Sequence, residues 1–493
     1  MMNNVLDYLE AAAGKHPNKK AVSYKDNYYS YSELRIQAGR IGKTLSQFGL
    51  KKQPIGVIAE RGIETIAFFL GVLYSGNYYV PIDPELPAEK LRSVFDDAAF
   101  RVVLGPAAYV LSIHYDGVYI SIDDVGDGEC PIPHTDHDDP LYMVYTSGST
   151  GKPKGVLKSH SAEISFIEAY CNTFDFSDSD VIGNQTPFFF DASAKDLYMM
   201  LKLGCSMEIL PTSLFSLPPE LIDYLNEKKV SFVSWVPTAI SLVAQLNPFS
   251  MVKPSTLKKV FFVGEVMPMK HLNKWRAALP EIEYVNLYGQ SEIAGICCYY
   301  KVTESFEDSA VLPMGKPLQN CTIYLVDGDH VIHEPGHVGE LYIVSDALAL
   351  EYFHDPEKTH SSFLRKDFGA GIERCFKTGD LAQYDEQGNL LFAARNDNQI
   401  KHMGHRIELG EIETVAGSLA DVDRCCCLYD SAKKKIILFC QLSSGSLLTG
   451  PTIRSQLRQH LSSYMVPGKV IILDALPINA NGKIDRQQLK NLI

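Results

Sequence analysis

Apolar positions change period repeatedly along the chain. Over 32–48 they recur at helical spacing, 54–59 is a short apolar run, and 64–74 returns to helical spacing before the turn-rich PIDPELP at 81–87. Segments of helical and strand period alternating in this way predict helices packed on a sheet. The alternation continues, with strands expected over 231–236, 259–263 and 283–287 and helices over 219–227 and 268–279. Beyond about residue 310 the pattern shortens to strands broken by Gly and Asp: CTIYLVDGD at 321–329, GELYIV at 339–344 and LAQYDEQGNLLFAAR at 381–395. The last of these reads as a hairpin through Glu386-Gln387-Gly388-Asn389, with Gly at the position needing positive φ. The C-terminal segment predicts helices over 411–420 and 451–461 and paired strands over 424–430 and 435–441. The expected architecture is α/β. A large N-terminal domain, residues 1–396, would consist of packed α/β sheets and a β-rich subdomain, followed by a small C-terminal α+β domain, residues 397–493. The boundary falls in the polar, turn-prone ARNDNQIKHMGH.

A chain of 493 residues suits two or three domains rather than one. Lys plus Arg number 46 against 59 Asp plus Glu, a formal charge of −13, which argues against a nucleic-acid partner but leaves room for a local basic site for a small polyanion. Eleven cysteines include no CxxC pair, so free thiols in a reducing compartment are expected rather than a disulfide framework or a zinc site. The most apolar long region, 63–80, is interrupted by Glu64, Gly71, Ser75, Gly76 and Asn77 and does not read as a membrane span. The N-terminus lacks the apolar core of a signal peptide. A cytoplasmic monomer is expected.

The sharpest local feature is LYMVYTSGSTGKPKGV at 141–156. An apolar strand runs into Thr146, Ser147, Gly148, Ser149, Thr150, Gly151, Lys152, Pro153 and Lys154. Glycines allow a tight turn that aims successive N–H groups at one point, while hydroxyls and lysines add donors and positive charge. This is a phosphate cradle by composition. It is not the P-loop pattern, because Pro153 follows Lys152.

The same stretch resembles the phosphate loop of the adenylate-forming superfamily. Further motifs follow in that family's order: NLYGQSE at 286–292, GEL at 339–341, KTGDLA at 377–382, RNDNQIKHMGHRIELGEIE at 395–413 and NGKID at 481–485, with YSGNYYVPIDP at 74–84 before them. Together they are similar to the adenylation domains of nonribosomal peptide synthetases and to related amino-acid:carrier-protein ligases.

The resemblance implies ATP-dependent activation of an amino acid as its adenylate, release of pyrophosphate, and transfer to the phosphopantetheine thiol of a carrier protein. ATP and Mg2+ are the implied cofactors. Thr146, Ser147, Thr150 and Lys154 would hold phosphates, with the backbone of Gly148, Ser149 and Gly151 beside them. Glu292 would bind Mg2+, and oxygen donors suit that hard ion. Tyr288 would stack on adenine near Asn286 and Gly289, while Asp380 and Arg395 would contact the ribose. Lys483 would bridge the substrate carboxylate and ATP, Asp397 would be the hinge, and Lys401 and Gly404 would face the incoming thiol. The hinge motif usually begins Gly-Arg but here reads Ala394-Arg395, a mild departure if Ala394 keeps ordinary strand geometry.

FFFDASAKD at 188–196 resembles the segment whose Asp binds the α-ammonium, which makes Asp191 the discriminating residue. The implied pocket walls are Ala192, Lys195, Ser234, Phe261, Val263, Leu287, Gly295 and Ile296. A lysine in an apolar pocket wants an anionic partner, so an acidic, glutamate-like substrate side chain is one expectation. A salt bridge from Lys195 to Asp191, four residues away, is the alternative. The chain ends eight residues after Asp485, short of a fused carrier domain; a carrier acting in trans is expected if the sequence is full length, and one in the parent chain if it is an excised domain. The rival readings are an acyl-CoA synthetase acting on another carboxylic acid and a non-catalytic nucleotide-binding homologue.

Overall fold

Four-residue and five-residue runs such as Phe232–Trp235 and Lys259–Val263 are almost wholly buried, as strands covered on both faces must be. They lie at the centre of a nine-stranded sheet in the order Lys316–Pro317, Cys298–Lys301, Glu283–Tyr288, Lys259–Val263, Phe232–Trp235, Val181–Asn184, Ser206–Ile209, Lys20–Tyr24 and Asn27–Ser30. Pairing is parallel from Glu283–Tyr288 through Lys20–Tyr24 and antiparallel at both edges. A seven-stranded sheet runs Glu351–Tyr352, Lys154–Ser159, Pro140–Thr146, Tyr78–Ile82, Pro54–Ile58, Val102–Leu104 and Val118–Ile120. An antiparallel sheet contains Cys321–Asp327, Gly339–Ser345, Ile372–Tyr384 and Leu390–Arg395. This computed structural model describes residues 3–106, 109, 115–147, 153–369, 371–395, 399–443, 445–478 and 484–493. Gly148, Ser149, Thr150, Gly151, Asp397 and Lys483 lie outside the described residues.

The chain divides into two compact units, Met1–Pro84 with Ala99–Val144 and Gly155–Asn396, and Glu85–Ala98 with Tyr145–Lys154 and Asp397–Ile493. The first is a large mixed α/β body. Helix Ile63–Tyr74 is apolar on nearly every face and correspondingly buried. Its close approach to helix Tyr31–Ser46 depends on Gly71, where a Cβ would lie 2.4 Å from Ile41. The second unit is smaller and α+β. Its sheet of Val422–Asp430, Lys435–Leu442 and Lys469–Ile472 packs with helices Leu409–Gly417 and Gly450–Leu457 around Ile412, Leu438, Ile453 and Leu457.

One expectation needs correction. The turn-rich stretch 81–87 loses its first two residues to strand Tyr78–Ile82, which is buried along its whole length. Burial on both faces of YYVPI outweighs the donor that Pro81 lacks. The hairpin turn before Leu390–Arg395 does place Gly388 at φ 74°. Ala394 has no positive φ and pairs with Leu381 as ordinary strand, so the departure from Gly-Arg carries no strain. All eleven cysteines are free. No helix among the described residues is long and apolar enough to cross a membrane.

Candidate active site

Asp380 owes its position to an interruption in a long strand. Pairing between Gly339–Ser345 and Ile372–Tyr384 slips between Glu340 and Tyr342, which leaves Thr378, Gly379 and Asp380 in a bulge. Gly379 takes φ 76°, and the Asp380 N–H donates to the Thr378 hydroxyl at 3.0 Å. A bulge of this kind re-aims a side chain. The Asp380 carboxylate, 1% exposed, receives Arg395 Nη1 at 2.5 Å on Oδ1. Its other oxygen receives Gln290 Nε2 at 2.8 Å and the Tyr288 hydroxyl. Arg395 is also its direct cross-strand partner, so sheet register and charge reinforce one another.

Tyr288 ends strand Glu283–Tyr288, and burial pushes its phenol well above the ordinary tyrosine range. Gly289 follows, where a Cβ would lie 1.7 Å from the Gly295 carbonyl oxygen; the chain can double back there only without a side chain. The turn Ser291–Ile293 then buries Glu292 completely. Glu292 Oε1 accepts from the Tyr352 hydroxyl at 2.7 Å, and its carbonyl accepts from Ala349 N–H at 2.9 Å. Asn286 braces the chain, donating from Nδ2 to Pro313 O at 2.7 Å. Tyr288, Gln290, Asp380 and Arg395 thus form one polar cluster, and Glu292 with Tyr352 forms a second contact. Gln290 lies within NLYGQSE with no signal of its own, and no local pattern marks Tyr352.

Thr146 ends strand Pro140–Thr146 with its hydroxyl buried and without a hydrogen-bond partner among the described residues. Ser147 donates to Arg406 O at 2.6 Å, and Lys154, partly buried, opens strand Lys154–Ser159. Lys401 and Gly404 belong to the hairpin of Gln399–His402 and His405–Glu408, whose turn residues Met403 and Gly404 both have positive φ.

Asp191 precedes helix Ala192–Leu203. Its Oδ1 accepts from the Tyr142 hydroxyl at 2.8 Å and from the fully buried Lys158. Lys195 therefore does not pair with Asp191. Its ammonium meets buried Asp196, which also receives Asn184 Nδ2 at 2.9 Å, and it lies over the rings of Tyr170 and Phe232. With that charge already countered, Lys195 gives no physical reason to expect an anionic substrate side chain.

The remaining walls group by sheet register. Ser234 lies directly across from Phe261, and Val263 across from Leu287. Ser234 has a buried hydroxyl with no hydrogen-bond partner among the described residues, while Phe261 packs among Tyr170, Phe174, Phe176 and Phe232. Ile296 is buried and Ala192 half-buried. Gly295 has φ 106°, and a Cβ there would lie 3.8 Å from Asp191 Oδ2. A small cavity beside Asp191 is lined by Phe69, Tyr79, Tyr142, Phe188 and Phe190, not by the other expected wall residues. Lys158, Tyr142 and Glu163 went unrecognised in the sequence. The one available signal was a lysine within VLKS, the apolar run immediately after the Gly-rich loop.

Residues 9–353 match the profile of AMP-binding enzymes, and residues 411–483 match the C-terminal domain of AMP-binding enzymes. Tyrocidine synthase 3 of Brevibacillus parabrevis is 30% identical over 492 residues, covering 98% of this chain and 8% of that protein. Gramicidin S synthase 1 of Brevibacillus brevis is 30% identical over 493 residues, covering 98% of this chain and 44% of that protein. The chain thus spans less than half the length of either relative. The crystal structure of IdnL1 superposes with TM-score 0.81 at 25% identity, covering 97% of this chain and 99% of that one. The Vibrio cholerae adenylation domain AlmE, in complex with glycyl-adenosine-5'-phosphate, shares the fold with TM-score 0.85 at 20% identity, covering 100% and 98%. The chain belongs to the AMP-binding enzymes of the adenylate-forming superfamily, and is built like the adenylation domain of a nonribosomal peptide synthetase.

Proposed function

We propose that this chain activates an amino acid as its aminoacyl adenylate, with release of pyrophosphate from ATP, and passes the acyl group to the phosphopantetheine thiol of a carrier protein. The observation that carries the reading is the convergence of Arg395, Tyr288 and Gln290 on the single buried carboxylate of Asp380. A preassembled carboxylate with surplus donors suits a vicinal diol, since hydroxyls both give and accept hydrogen bonds. The orphaned buried hydroxyl of Thr146 is a second fit, as a donor for a phosphate oxygen.

Glu292 offers a buried carboxylate of the kind Mg2+ takes. Among the described residues no group of three His, Cys, Asp or Glu surrounds a metal position, which suits an ion completed by phosphate and water oxygens. Bound there, Mg2+ would neutralise charge on the phosphates. Lys154 and Lys483 are assigned the remaining positive charge on the reacting phosphate and carboxylate, where charge concentrates in the transition state. Asp191 is assigned the α-ammonium. Amino-acid-dependent exchange of pyrophosphate into ATP, run over the twenty common amino acids, D-isomers and non-protein acids, tests the reading. Exchange with none of them would remove it.

One observation favours a second reading. Lys158 already occupies Asp191 Oδ1, so an acid without an α-ammonium, handed to coenzyme A, would meet no unbalanced charge. Comparing 2-hydroxy with 2-amino acids, and coenzyme A with a carrier protein as acceptor, separates the two.

A further inference from the structure

Hydrogen-bond bookkeeping around Tyr142 locates a proton. The phenol oxygen lies 2.8 Å from Asp191 Oδ1, 3.1 Å from Lys158 Nζ and 3.1 Å from Glu163 Oε2. The phenol has one hydrogen, and Asp191 is its nearer carboxylate. Lys158 donates to the phenol oxygen, so the contact with Glu163 is a hydrogen bond only if the acid itself carries a hydrogen. Glu163 is fully buried, and its Oε1 has no hydrogen-bond partner among the described residues, which a neutral carboxyl tolerates far better than a carboxylate does. Burial, with Asp191 nearby, pushes the Glu163 carboxyl up to about 8 against the opposing pull of Lys158.

The groups facing Glu163 come from five elements. They are Lys158 on Lys154–Ser159, Tyr142 on Pro140–Thr146, Asp191 and Tyr198 at and on helix Ala192–Leu203, Tyr79 on Tyr78–Ile82, and Tyr8 on helix Leu6–Lys15. Burial raises all four phenols, which keeps them neutral, so the charges reduce to Lys158 and Asp191, which cancel. Asp191 Oδ2 faces Gly295 and receives no hydrogen bond from a described residue, so a ligand donor can reach it. An α-ammonium placed there adds a positive charge to a neutral, enclosed cluster. Glu163 is the remaining acid that can offset it.

We infer that Glu163 is a specificity-determining residue that answers the substrate's α-ammonium: docking of the ammonium on Asp191 Oδ2 expels the Glu163 proton, whereas an acid without the ammonium leaves it in place. The Glu163 O–H bond breaks, its electron pair stays on the carboxylate, and the proton passes to bulk water. The cluster then holds two cations and two anions. Glu163 acts through Tyr142 and the Lys158–Asp191 pair, as a positioning residue rather than a catalytic one. The inference rests on the amino-acid reading above.

The test uses the amino acid that gives the strongest pyrophosphate exchange and the 2-hydroxy acid with the same side chain. Calorimetric titration of each into the purified protein at pH 7, in buffers of different ionisation enthalpy, counts the protons released. The expected result is about one proton for the amino acid and none for the hydroxy acid, with the amino-acid KM falling about tenfold per pH unit between pH 6 and 8 at nearly constant kcat. In Glu163→Gln the release vanishes and the KM profile flattens; Glu163→Asp restores part of both. Loss of a neutral-carboxyl infrared band on amino-acid binding reads the same event in the unaltered protein, so a poorly folding variant does not remove the test. Amino-acid exchange without proton release, or equal release from Glu163→Gln, overturns the inference and leaves the proposed function standing. Exchange with no amino acid overturns both.

Discussion

Asp191, half-buried, and Asp380, buried, are acids of the same unit, each bonded to a cation and a tyrosine, yet they are balanced differently. At Asp380 one carboxylate meets one guanidinium, and Tyr288 and Gln290 add donors beyond what charge balance requires. At Asp191 a single ammonium, Lys158, stands beside two acids, and the phenol between them has one hydrogen. A surplus of donors lets a ligand exchange hydrogen bonds without moving a proton. A surplus of acid is resolved in a buried site by protonation, so the same kinds of side chain make a site that titrates. Exposure differs as well: the Arg395 side chain retains 11%, whereas that of Lys158 retains none.

That difference in exposure sets the largest expected effect. Asp191→Ala takes the carboxylate partner from fully buried Lys158, leaves only Glu163 to balance it, and should lower stability by about 3–5 kcal/mol, the range for breaking a buried pair. Asp380→Ala leaves Arg395 a route toward solvent and should lower it by roughly 1–3 kcal/mol. Urea unfolding of both variants makes the comparison, and Asp380→Ala proving the more damaging would break it. Replacing both partners, Lys158→Met with Asp191→Leu, should recover most of the loss, because two matched apolar groups leave no charge behind.

Neither acid cluster supplies positive charge to a transferring phosphate, so removal of the proposed cation should damage turnover without resembling either acid variant. Lys483→Ala is expected to reduce amino-acid-dependent exchange by about 10²–10³-fold, as loss of one preorganised donor to transition-state charge does. Stability and the KM for ATP should change little, since the interaction is proposed to matter in the transition state. Exchange at the unaltered rate would withdraw the role assigned to this lysine.

What could be read in advance follows the same physical division. Strand Lys259–Val263 was legible to the residue because a buried parallel strand writes itself as an apolar run. Asp380 was legible through a motif, although the bulge that aims it depends on register with Gly339–Ser345, which no local pattern encodes. Glu163 and Lys158 were not legible. Both lie in the mostly polar run KSHSAE at 158–163, where solvated and buried side chains look alike until neighbouring strands are placed. Lys195 was misread for a related reason. The spacing of four puts it one helical turn from Asp191, but Asp191 sits at the helix start and is already held by Lys158, leaving Lys195 to its immediate neighbour Asp196.

The acid surplus also predicts a pH dependence that Asp380 does not share. Glu163 is raised to about 8 in the folded protein. An unfolded glutamate titrates near about 4.3, so between those values the native state holds the extra proton. Its contribution to stability is complete below the lower value and is lost as pH rises through the upper one. Relative to Glu163→Gln, the unaltered protein should therefore lose roughly 2–3 kcal/mol of stability between pH 5.5 and 7.5. Denaturant midpoints of both proteins across that window provide the measurement. Parallel curves would mean that Glu163 carries no extra proton, which would also remove the distinction drawn between the two clusters.

The donor surplus at Asp380 gives the smallest effect. Tyr288→Phe deletes one hydrogen bond while Arg395 and Gln290 continue to serve the carboxylate. A single deletion from a network that keeps its charge balance is worth about 1 kcal/mol, or roughly fivefold in the KM for ATP. The amino-acid KM and its pH profile should not move, because the Tyr288 hydroxyl serves Asp380 and Gln290, in the other cluster. The contrasting change is Tyr142→Phe, which removes the hydroxyl that links the two acids and should disturb the amino-acid KM and its pH profile while leaving the KM for ATP alone. Were the two substitutions to give the same pattern, donor surplus and acid surplus would not be the property that separates the sites.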